Sequence, residues 1–144
     1  MDNPAPVTRP PGRSWALKLL VFGFFILGWT GCLRLYLTLV DWQLLIVIGV
    51  QPGPLYLAVY GFVIGAAGLV VAAGLFFRQR WAPAAARVAA IAAAAWFWLD
   101  RILFTRSSGG WTNWPFSVGM TVLCLLFVFL VLAAPAQKRF FSYE

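Results

Sequence analysis

Leu55–Phe77 reads LYLAVYGFVIGAAGLVVAAGLFF, and no charged residue interrupts it. At ~1.5 Å per residue a helix of that length reaches ~35 Å, enough to cross a hydrocarbon layer ~30 Å thick with some tilt. The rest of the chain has the same character. Of its 144 residues 62% are hydrophobic and only 10% charged, with a mean hydropathy of +0.86. Soluble domains carry about 25% charged residues, so this is an integral membrane protein of one domain. Within the stretch, Gly61, Gly65, Gly68 and Ala72 recur at spacings of four, three and four, which places them on one helical face. Small residues in that array let a neighbouring backbone come close, whether it belongs to this chain or to a second protomer.

Upstream, Pro52-Gly53-Pro54 turns the chain, and Trp15–Leu37 forms another span, apolar apart from Lys18, Arg34 and small polar residues. Trp29-Thr30-Gly31-Cys32 fits a lipoprotein cleavage box poorly, because a leucine-like residue is expected where Trp29 stands. Between the two spans, Asp41, Trp42 and Gln43 break the apolar pattern, and Leu44–Val50 is too short to cross. Two readings fit this connector: a short helix lying at the interface, or a packed apolar loop over the end of the bundle.

Downstream, Arg78-Gln79-Arg80 makes a basic loop, and Pro83 is well placed to open a third span over residues 84–104. That span is rich in alanine until it meets Trp96-Phe97-Trp98-Leu99-Asp100-Arg101. Slim helices pack closely in lipid, so it is expected to lie centrally, against the glycine face of residues 61–72. Thr105–Trp114 reads as an exposed loop, after which Thr112 or Asn113 can cap a fourth span over 116–134, with Pro115 in its first turn. Residues 1–14, with four prolines, form a flexible tail, and 135–144 a basic and aromatic one on the membrane surface. The expected fold is all-α: a four-helix transmembrane bundle with a short interfacial segment between the first and second spans.

Basic residues give the orientation. With a cytoplasmic N-terminus, Arg9, Arg13, Lys18, Arg78, Arg80, Arg87, Lys138 and Arg139 lie inside, and Arg34, Arg101 and Arg106 lie outside or near it. Cytoplasmic flanks carry the excess of lysine and arginine, so both termini are expected in the cytoplasm. The same distribution argues against nucleic acid as a partner, because such a site needs its cations on one soluble face. The bilayer is the expected partner, together with a protein partner or a homo-oligomer.

In this topology Arg34 and Asp100 reach similar depths near the outer boundary, ~28 Å from Trp15 and ~26 Å from Pro83. A charge within a span costs roughly 2.5–3.5 kcal/mol, less near the interface, so Asp100 is expected to face Arg34. Arg101 then stacks on an aromatic ring or snorkels to headgroups. Arg34, Asp41, Asp100 and Arg101 form the candidate polar site, which either staples the bundle or receives an ion or polar substrate.

The inventory argues against catalysis. There is no histidine, and Cys32 and Cys124 sit in separate apolar runs without thiol-exchange spacing. The few acids are too scattered for a zinc site, and no nucleotide or nucleophile-elbow motif is present. No catalytic residue, metal or cofactor is expected. Small multidrug exporters are similar in having four short helices, yet they carry a glutamate in the first, and Trp15–Leu37 has none.

Gly49-Val50-x-Pro52-x-Pro54-Leu55-Tyr56-Leu57, Arg78-x-Arg80-Trp81-Ala82, Trp98-x-Asp100-Arg101 and Asn113-Trp114-Pro115-Phe116 resemble elements of a group of uncharacterised small bacterial proteins with four spans. The resemblance implies the four-span architecture in a bacterial plasma membrane and carries no activity. The expected function is that of a non-catalytic accessory or scaffolding subunit. The alternative is a small carrier or lipid-handling protein with its polar site at the outer end.

Overall fold

The computed structural model describes residues 14–50, 52–104 and 113–134, which form helices and the turns between them. In order these are α1 (Trp15–Val40), α2 (Trp42–Ile48), α3 (Pro54–Phe76), α4 (Ala82–Phe104) and α5 (Trp114–Ala133). Expectations for the N-terminal tail before Ser14, the loop over 105–112 and the C-terminal tail after Ala134 lie outside the described residues. Four helices are long and apolar enough to cross a membrane: α1, α3, α4 up to Leu103, and α5.

The helix ends follow from local chemistry. Ser14 opens α1, its side-chain oxygen accepting from the Leu17 backbone N–H at 3.3 Å. The helix runs three residues past the expected Leu37, since nothing before Asp41 breaks it, and the Thr38 hydroxyl donates back to the Arg34 carbonyl at 2.8 Å. At Asp41 (φ −93°, ψ 19°) the chain bends without losing its ladder. The Asp41 N–H donates to Leu37, and the Leu45 N–H to Asp41, both at 2.9 Å. Of the two readings of the connector the short helix is the one that forms. It ends at Gly49, whose φ of 67° lies where a side chain would be strained. Pro54 is the first residue of α3 and Pro115 the second of α5, positions where the missing N–H costs nothing.

The turn from α3 to α4 is tight. The Gln79 N–H donates to the Gly74 carbonyl at 2.9 Å, closing a Schellman-type end in which Arg78, at φ 60°, takes the left-handed position usually given to glycine. Trp81 then folds over Gly74. A Cβ added there would meet the indole ring at 2.7 Å.

Packing is governed by one pair. α1 and α3 lie antiparallel with their backbones in contact: Gly28 against Gly68, Gly31 against Gly65, and Leu35 against Gly61. A Cβ on Gly68 would come within 2.6 Å of the Gly28 nitrogen, and one on Gly61 within 2.8 Å of the Leu35 nitrogen. Lipid supplies no hydrophobic drive between helices, so this close approach, with its dispersion contacts, is what holds the pair. The expected partner of the glycine face is therefore corrected. α1 occupies it, because glycines on both sides permit a separation that the Cβ atoms of alanine would prevent. α4 instead lies beside α3 and α5, and α5 closes the ring against α1. Ala84, Ala92 and Ala95 remain exposed, as do Val88 and Ile91.

All four spans meet in a side-chain core at one end only. Leu17, Leu20 and Phe24 of α1 pack there with Val71, Ala72 and Leu75 of α3, Ala82 and Ala86 of α4, and Val128, Val131 and Leu132 of α5. Arg87 enters this core end and donates from Nη2 to the Leu132 carbonyl at 3.3 Å, near the C-terminus of α5, where the helix dipole favours a cation. Its Nε is buried without a hydrogen-bond partner. Elsewhere large apolar side chains point outward, Phe62 and Leu123 each 62% exposed and Phe116 72%. A water-soluble protein would not tolerate such a surface, and lipid covers it without cost.

Candidate functional site

The other end of the bundle, here the aromatic end, holds the candidate polar residues Arg34, Asp41, Asp100 and Arg101. On α4, Trp96 and Asp100 are one turn apart and share a face; on α3, Tyr56 and Tyr60 do the same. The antiparallel turn between these helices brings the two faces together. The Tyr56 hydroxyl donates to Asp100 Oδ1 at 2.9 Å and accepts from Trp96 Nε1 at 2.8 Å. Tyr60 meets the Trp96 ring edge-on, centroids 5.5 Å apart at 68°. On α1, the Arg34 guanidinium lies over the Tyr60 ring, 4.7 Å from its centroid.

Arg34 and Asp100 are therefore at the same end of the bundle, but they do not face each other. No ion pair joins them among the described residues, and the expectation of direct pairing is corrected. Tyr56, Tyr60 and Trp96 fill the space between, one hydroxyl taking the carboxylate and one ring face taking the cation. The result is a continuous line of contacts, Arg34–Tyr60–Trp96–Tyr56–Asp100, tying α1, α3 and α4 together. Interhelical hydrogen bonds in membranes contribute ~0.6 kcal/mol each on average and up to ~1.7.

The remaining predicted positions divide. Arg101, in the last turn of α4, is half-buried. Asp41 is exposed at the bend between α1 and α2, and its side chain caps neither helix. It lies with Arg34 in a groove of about 320 Å³ walled by Leu37, Leu45 and Leu57, with Thr38 also in its lining. Arg34 makes no hydrogen bond among the described residues; its guanidinium rests on the Tyr60 ring while the side chain lines this groove. Gly61, Gly65, Gly68 and Ala72 are all buried, the glycines in the seam with α1 and Ala72 in the core. Cys32 and Cys124 are both free thiols; Cys32 packs beside Gly65 and Cys124 is exposed.

The residues that sequence reasoning missed are Tyr56, Tyr60, Gly28 and Gly31. The signals were there: tyrosines four apart at the start of an otherwise featureless span, and two glycines three apart in the first. Asn113 sits at the N-cap of α5 without a side-chain cap bond, and Thr112 is outside the described residues. Among the described residues no three His, Cys, Asp or Glu side chains gather as a metal site would require. The chain matches no protein-family profile, no curated protein and no solved structure.

Proposed function

We propose that this membrane protein is a non-catalytic accessory or scaffolding subunit of a membrane complex. The observation that carries this reading is that Asp100, the acidic residue within a span, is held by Tyr56 in a line of contacts fastening three helices. A carboxylate so engaged serves as a staple, which fixes the relative heights of α1, α3 and α4. The same bundle leaves the alanine and aliphatic face of α4 uncovered by its own helices, a surface suited to another helix. Purification in mild detergent after crosslinking in the membrane is expected to yield a larger assembly or a homo-oligomer. A monomer with nothing crosslinked to it sinks the reading.

A bacterial plasma membrane with the core end cytoplasmic fits the charges: Lys18, Arg78, Arg80 and Arg87 lie at that end, and Arg34 and Arg101 at the other. A cysteine placed at Asp41 is expected to react with an impermeant thiol reagent in intact cells, and one at Arg80 only after lysis. The reverse result overturns the orientation.

A second reading, a small carrier or lipid-handling protein, is favoured by the groove that holds Arg34 and Asp41 together between apolar walls without an ion pair between them. Lipid movement between leaflets in proteoliposomes tests it, with the Arg34→Gln and Asp41→Asn variants expected to slow the movement.

A further inference from the structure

We infer that the groove between α1, α2 and α3 binds a zwitterionic aminophospholipid, its phosphate on Arg34 and its primary ammonium on Asp41. The inference deepens the lipid-handling reading by naming the lipid, and rests on that reading's polar site. Three observations converge on it. The groove holds one cation and one anion that do not pair with each other, and neither side chain has a hydrogen bond to any described residue. Its walls are largely aliphatic: Leu33, with Thr30, lies inward of Arg34, where an acyl chain starts, and Leu37, Leu45 and Leu57 flank the headgroup. Its depth is that of a headgroup. Arg34 lies ~28 Å along α1 from Trp15, at the edge of a hydrocarbon layer ~30 Å thick, and Asp41 lies ~10 Å further out.

The chemistry selects the occupant. A guanidinium presents its donors as a fork that fits phosphate oxygens, whereas a carboxylate repels phosphate and accepts from an ammonium. Tyr60 fixes the height. Its neighbour Gly61 packs on Leu35, so the ring lies level with the turn that follows Arg34, and the guanidinium over it is held at that level. An anionic lipid such as phosphatidylglycerol satisfies Arg34 and leaves Asp41 facing a headgroup with no cation. Phosphatidylethanolamine satisfies both. The larger groove at the core end, about 660 Å³ along α1 and α3, has Lys18 as its charged residue and no acid, so it offers no such discrimination.

The test is competition between the two lipids. Delipidated protein is mixed with equal amounts of phosphatidylethanolamine and phosphatidylglycerol of matched chains, and retained lipid is read by native mass spectrometry. An exposed ion pair of ~0.2–1 kcal/mol corresponds to a preference of up to about fivefold, and a two- to fivefold excess of phosphatidylethanolamine is expected. Asp41→Asn should abolish the preference while retaining lipid, and Arg34→Gln should lower retention of both. Circular dichroism and gel filtration show that each variant is folded, and Lys18→Gln is expected to leave the ratio unchanged. The inference is overturned by equal retention in the unaltered protein, by a preference that survives Asp41→Asn, by unchanged retention in Arg34→Gln, or by a ratio that moves with Lys18→Gln. Because binding is read without transport, a lipid retained but never moved between leaflets sinks the handling reading and leaves this one standing.

Discussion

The contact between α1 and α3 differs in kind from those that attach α4. Along the first, glycine meets glycine and the backbones themselves touch; along the second, contact is made by side chains at the two ends, Trp81 over Gly74 at one and Trp96 with Tyr56 at the other. α4 has more small residues than α1, yet it is the looser partner. In lipid the absence of a Cβ on both sides, rather than a narrow helix on one, decides which pair closes.

The largest expected effect breaks the closed seam. Gly65→Leu or Gly31→Leu places a branched side chain where the opposing backbone already lies, and overpacking of this kind costs about 1–3 kcal/mol. Thermal unfolding in detergent should show the loss, and a variant as stable as the parent would mean that the two helices do not touch there. A smaller effect is expected from Tyr56→Phe, which removes the hydroxyl shared by Asp100 and Trp96. Two interhelical bonds averaging ~0.6 kcal/mol each set the loss at about 1 kcal/mol. Asp100→Asn, which keeps an acceptor for Tyr56, should lose less, and an equal or greater loss would assign the stabilisation to charge. The smallest effect is expected from Ala92→Leu on the exposed face of α4, which should leave unfolding within ~0.5 kcal/mol of the parent. The same substitution should weaken any assembly formed through α4, so intrinsic stability and association are expected to separate there. Loss of stability in Ala92→Leu would place α4 in the centre of the bundle after all.

Much of the architecture was legible because uninterrupted apolar runs have few alternatives. Leu55–Phe77 carries its own length and its own glycine face, and prolines 54, 83 and 115 mark helix starts. The partner of that face was not legible. Ala84–Ala95 looked like the natural complement, while Gly28 and Gly31 were lost among the bulky residues around them. At the polar site, helix lengths were enough to bring Arg34 and Asp100 to one end, since depth follows from counting residues. Counting does not give rotation about the helix axis, and rotation put Tyr56 and Tyr60 between the two charges. Asp41 stands exposed at the bend between α1 and α2, in the groove that Arg34 also lines.

The unequal lengths of the spans have a consequence for the surrounding bilayer. α1 has 26 residues and α5 has 20, ~39 Å against ~30 Å of helix. A layer of uniform thickness matches α5 upright and is exceeded by α1, which must lean or carry its last turns out among the headgroups. The bilayer is then asked to be thinner on one flank of the molecule than on the other. Mismatch of this sort costs fractions of a kcal/mol per Å, enough to sort proteins among membranes of different thickness.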